Sequence, residues 1–72
     1  MKKEFKLKEG EEYVELKNLL KIMNYVNSGG VAKIIILNGE VEVNGEVELR
    51  RGKKLRNGDK VSISEDEITI IQ

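Results

Sequence analysis

The stretch LKNLLKIMNYVNSGGVAKIIILNG runs from Leu16 to Gly39 and carries two apolar patterns of different kinds. In its first half Leu16, Leu19, Leu20, Met23 and Val26 recur at the three- and four-residue spacing of one helix face. At about 100° per residue, these and Ile22 fill an arc of roughly 160°, with Lys17, Lys21 and Asn24 on the opposite side. The pattern predicts an amphipathic helix from Leu16 to Val26. Asn27-Ser28-Gly29-Gly30 then breaks it and offers Ser28 as the cap of a second helix. The Ile34 to Leu37 run has strand propensity taken alone. The Ser28 cap, the stop at Gly39 and the spacing of Ala32, Ile35 and Ile36 favour a helix over Val31 to Asn38.

From Glu40 the period changes to two. Val41 and Val43 alternate with Glu40 and Glu42, Asn44-Gly45 supplies a hairpin turn, and Glu46 to Leu49 return with the same alternation. Arg50 to Arg56 forms a basic loop around Gly52, closed by Leu55. Asn57-Gly58-Asp59 turns the chain into a strand at Lys60 to Ser64, with Val61 and Ile63 inward. An acidic turn at Ser64 to Glu67 precedes a last strand, Ile68 to Ile71, and Glu4 to Leu7 fits a further strand. The expected class is α+β: two helices followed by a small, mostly antiparallel sheet, all in one domain of 72 residues.

Composition narrows the chemistry. The chain has no histidine and no cysteine, so Ser-His and Cys-His triads, disulfides and thiolate metal sites are excluded. A carboxylate pair or a lysine nucleophile would need a concave site that so short a chain rarely provides. An enzyme is not expected, nor is a metal or cofactor. Met1 to Lys6 is followed by no apolar stretch, and the longest apolar run is too short to cross a bilayer. The cytoplasm is the expected compartment and a monomer the simplest state.

Thirteen basic and thirteen acidic residues cancel, yet they are segregated along the chain. Between Leu16 and Lys33 stand Lys17, Lys21 and Lys33 with no acid. The stretch from Ile34 to Glu48 carries only Glu40, Glu42, Glu46 and Glu48. Arg50, Arg51, Lys53, Lys54, Arg56 and Lys60 then face a single acid, Asp59. A dipolar molecule with one basic face follows, and local potential, more than net charge, steers a polyanion onto a surface.

The run from Leu16 to Ile63 resembles the S4 RNA-binding domain. The resemblance rests on Leu16-x-x-Leu19-Leu20, on Ser28-x-x-x-Ala32-Lys33, on Asn38-Gly39-Glu40-Val41-x-Val43-Asn44-Gly45 and on Asn57-Gly58-Asp59-x-Val61. Ser28 to Lys33 and Arg50 to Leu55 are most similar to the small stand-alone bacterial S4-domain proteins of the YaaA/YbcJ type. The resemblance implies two helices packed on a small sheet and RNA bound along the helices and the adjoining loop. Structured RNA, ribosomal or transfer-RNA-like, and a ribosomal subunit are the implied partners. Where the family usually opens its first helix with Arg-Leu-Asp, this chain has Glu15-Leu16-Lys17, leaving Lys17 and Lys21 to replace the missing arginine.

The expected RNA-binding residues are therefore Lys17, Lys21, Ser28, Gly29, Gly30, Lys33, Arg50, Arg51, Lys53, Lys54 and Arg56. Arginine offers a planar fork to phosphate and guanine edges, and lysine a point charge. Gly52 lets backbone approach a phosphate. Ser28 to Gly30 open a helix whose free N–H groups favour an anion, although a plain capping turn explains the same residues. The basic loop contains no aromatic residue, which favours recognition of folded RNA by shape and backbone over stacking of splayed bases. Two rivals belong to other classes. A protein-interaction scaffold with a basic partner is motivated by the acidic hairpin, and a ubiquitin-like sulfur carrier would require a Gly-Gly terminus where this chain has Ile71-Gln72.

Overall fold

A computed structural model describes all residues from Met1 to Gln72. Seven strands and two helices follow one another as β1 (Lys2–Lys6), β2 (Val14–Glu15), α1 (Leu16–Ile22), α2 (Gly29–Leu37), β3 (Val41–Val43), β4 (Glu46–Val47), β5 (Lys54–Leu55), β6 (Lys60–Ile63) and β7 (Asp66–Ile71). Five strands form one sheet in the order β1-β7-β6-β3-β4, in which only β1 and β7 run parallel. β2 and β5 form a separate two-stranded ladder.

The sheet's register puts the apolar alternation on one face. Val41 lies opposite Ile63, Val43 opposite Val61, and Val61 opposite Ile68. These side chains, with Ile70 and Leu7, meet Leu16, Leu19, Leu20, Ala32 and Ile36 from the helices in a single core, and no polar side chain is buried. The hairpin turn has the geometry that Asn-Gly predicts, with φ of 53° at Asn44 and 87° at Gly45. Asn44 also donates to Asp59 Oδ1 at 3.0 Å and accepts from the Lys60 N–H at 2.9 Å, locking the two turns together.

Both helices end in the same way. At α2 the N–H of Gly39 bonds Ile36 O and that of Glu40 bonds Ile35 O, while Gly39 takes φ 77°. At α1 the N–H of Asn24 bonds Lys21 O and that of Tyr25 bonds Leu20 O, with Asn24 at φ 64°. Both are Schellman closures, the first on glycine and the second on asparagine, the other residue that tolerates the left-handed region. The early closure corrects the expected end of α1 at Val26. Val26 still reaches the core from the connecting turn, whereas Ile22, expected on the buried arc, is left exposed. No helix is long and apolar enough to cross a membrane.

The smaller differences lie at strand ends. Asp66 and Glu67 belong to β7, so the acidic turn shrinks to Ser64 and Glu65, with Ser64 at φ 57°. The two-residue strand β5 appears within the expected basic loop and pairs with β2, Val14 opposite Leu55. Through them the basic loop is tied to the start of α1.

Candidate nucleic-acid interface

α1 begins without a side-chain cap. Its first two N–H groups instead donate to the basic loop, Leu16 to Lys53 O at 2.9 Å and Lys17 to Arg51 O at 3.0 Å. The loop carbonyls thus take the place of the usual capping oxygen and use two of the N–H groups at the helix start. Fully buried Leu55 pins the other end of the loop. Arg51 and Lys53 are consequently carried on backbone fixed at both ends.

The loop side chains share one surface. Arg50, Lys53, Lys54 and Arg56 line a polar depression around Gly52. Arg50, Arg51 and Gly52 continue into a second cleft, which they share with Lys33 and Leu37 of α2 and with Leu49. Gly52 is exposed, and the nearest atom to where a side chain would stand is Glu15 Oε2 at 3.7 Å.

The basic residues are not equally free. Arg50 holds Glu48 through both arms of its guanidinium, Nε to Oε2 at 2.9 Å and Nη2 to Oε1 at 3.1 Å, and its backbone N–H bonds the same carboxylate at 3.0 Å. These bonds keep the Glu48 carboxyl below the usual carboxylate range and raise Arg50. The fork expected to meet phosphate is therefore occupied. Lys54 Nζ lies 5.0 Å and Arg56 Cζ 5.5 Å from the centre of the Tyr13 ring, within cation–π reach. Tyr13 was absent from the expected site because only the β2–β5 ladder brings it to the loop. Its ring gives the two cations a shared partner.

The remaining expected residues divide. Lys33 joins the loop residues in the second cleft. Lys17 stands at the start of α1 beside the loop, 3.9 Å from the Glu15 carboxylate that occupies the place of the family's arginine. Lys21 faces a different hollow, among Glu11, Glu12 and Glu15. Ser28 caps α2, its Oγ accepting from the Val31 N–H at 3.2 Å. The N–H groups of Gly29 and Gly30 donate to no protein acceptor. Ser28, Gly29 and Gly30 line neither of the two clefts, and their helix start lies about 6 Å along the axis from Lys33.

Comparison with known proteins agrees with this layout. The S4 domain family model matches residues 5–71, beyond the 16–63 core expected from the motifs, and so takes in the end of β1, β2 and β7. The chain is similar to YbcJ from E. coli, whose solution structure is described as revealing an alfaL motif involved in RNA binding; identity is 36% over 96% of this chain and 86% of that one, with a TM-score of 0.70. It also shares its fold with the Vibrio cholerae heat shock protein 15, seen as a trimer, at 22% identity over 78% of this chain and 58% of that one, with a TM-score of 0.65. No curated protein matches the sequence significantly. Two helices against a mostly antiparallel sheet, a basic loop strapped to the first helix, and a family match across residues 5–71 together place the chain in the S4 domain family.

Proposed function

We propose that the protein is a non-enzymatic module that binds structured RNA, ribosomal RNA or an assembling ribosomal subunit being the intended target. The observation that carries this reading is the continuous basic surface of Lys33, Arg51, Lys53, Lys54 and Arg56, set on backbone that the α1 start and Leu55 hold in place. Preordered cations lose little freedom on meeting a phosphate, so the gain from releasing counterions is kept. The relation to YbcJ, described as RNA-binding, supports the same reading. Phosphate contact by Arg51, Lys53 and the pair at the Tyr13 ring, Lys54 and Arg56, would give affinity, with Lys33 and Lys17 extending the surface along the helices.

Neutralising Arg51, Lys53, Lys54 and Arg56 to glutamine tests it. The variant should keep its fold, since all four side chains project outward, and lose most of its affinity for a structured RNA. Unchanged binding would refute the assignment. The scaffold alternative rests on the exposed carboxylates Glu40, Glu42 and Glu46. It predicts that a basic protein copurifies after nuclease treatment.

A further inference from the structure

The basic surface contains two side chains that a purely phosphate-binding site does not need. Leu37, the last residue of α2, and Leu49, just past β4, are 57% and 53% exposed, yet both stand among Lys33, Arg50 and Arg51. Leaving two large aliphatic groups in water costs stability that any occupant would recover. Between them lies a cleft of about 370 Å³ with buried Ile36 at its base. Its size is near the lower end of ligand sites. It is too small for a helix and suits one flat ring system.

Alkyl walls beneath a cationic rim match one kind of RNA group. A paired base in an A-form helix shows only its edge, whereas an unpaired one can leave the stack and present its faces. We infer that the Leu37–Leu49 cleft receives a single unstacked nucleobase, whose flanking phosphates are held by Lys33 and Arg51 on the rim. The inference rests on the RNA reading above and adds the feature recognised, a bulged or looped-out nucleotide beside a helix. The contact is aliphatic, so the lack of an aromatic residue in the loop does not bar it. Burying one base face is worth about 5- to 10-fold in affinity.

Two RNA hairpins, identical except for one unpaired 2-aminopurine nucleotide, provide the test. The wild-type protein should bind the bulged hairpin about 5- to 10-fold tighter, and the probe's emission should move to shorter wavelength on binding. Leu37→Ser combined with Leu49→Ser should bind both hairpins equally, at the wild-type affinity for the uninterrupted one. Leu49→Met should keep the preference. The emission shift is measured on the wild-type protein, so it does not depend on the folding of any variant. Equal wild-type affinities with no emission shift would overturn the base site while leaving the RNA reading intact, and would point to a protein contact for the exposed leucines. A preference that survives in the double serine variant would also overturn it. Binding to neither hairpin would overturn the RNA reading and this inference together.

Discussion

Glu48 is the residue on which the strength of the basic surface turns. Its carboxylate takes three hydrogen bonds from Arg50 alone, two from the guanidinium and one from the backbone. One of the loop's five cations is thus neutralised in the free protein. Glu48→Gln should release it, raising affinity for a polyanion several-fold and steepening the salt dependence by the equivalent of about one phosphate contact. Titration of binding against salt with the single variant measures both. Glu48 and Arg50 stand two apart just beyond β4, where a strand's period of two already puts side chains on one side. The pairing was therefore open to reading from the residues. The position of Tyr13 was not, because it depends on a ladder only two residues long. At this same scale Ser28 separates two roles. If it only caps α2, Ser28→Ala should cost about 1 kcal/mol and lower Tm by roughly 4–8 °C without changing RNA affinity. A matching loss of affinity would assign the start of α2 to the interface.

Among the elements, α2 and the Asn44-Gly45 hairpin were legible because each carries its own punctuation, Ser28 and Gly39 for the helix and the Asn-Gly pair for the turn. The end of α1 was not, because Val26 continues the apolar spacing of Leu19 and Met23 after Asn24 has closed the helix. The β2–β5 ladder left no periodic signal at all. It nonetheless determines where the basic loop sits, so Leu55→Ala is expected to cost about 2–5 kcal/mol and to free the loop. Hydrogen exchange should then show the Leu16 and Lys17 amides losing protection ahead of the main sheet. A second junction joins the chain's two ends. Asp66 at the start of β7 accepts from the Tyr25 hydroxyl at 2.5 Å and pairs with Lys3 at 3.3 Å and the N-terminal amine at 3.5 Å. The Tyr25 hydrogen bond, followed by Lys3, holds the Asp66 carboxyl below its ordinary value. A depressed carboxyl adds stability above its unfolded pKa and loses it as pH falls through the folded one. Burial, then the bond to Asp66, raises Tyr25, so its share is present below the ordinary tyrosine range and lost as pH climbs past it. Tm should therefore form a plateau around neutrality and fall on both sides. Asp66→Asn should flatten the acid limb when Tm is followed by circular dichroism from pH 7 to 2.

For the whole molecule, a net charge of zero conceals the division that matters. The basic loop is strapped to α1, whereas exposed Glu42 and Glu46 lie in the β3–β4 hairpin at one edge of the sheet. The two meet where Glu46 and Glu48 share a hollow with Arg50 and Lys53, and the local potential of the loop, more than net charge, steers a polyanion. The edges are guarded too, by the lysines of β1 and by the shortness of β4. We propose a monomer on this ground: sedimentation should report a mass near 8.2 kDa, and a multiple of it would contradict the proposal. The most direct test of the whole account is binding to ribosomal RNA and to duplex DNA, each at about 50 and 200 mM salt. With about four phosphates contacted, RNA affinity should fall roughly 50- to 150-fold between the two conditions and stay above that for DNA at both. No binding to either nucleic acid at the lower salt would contradict the account.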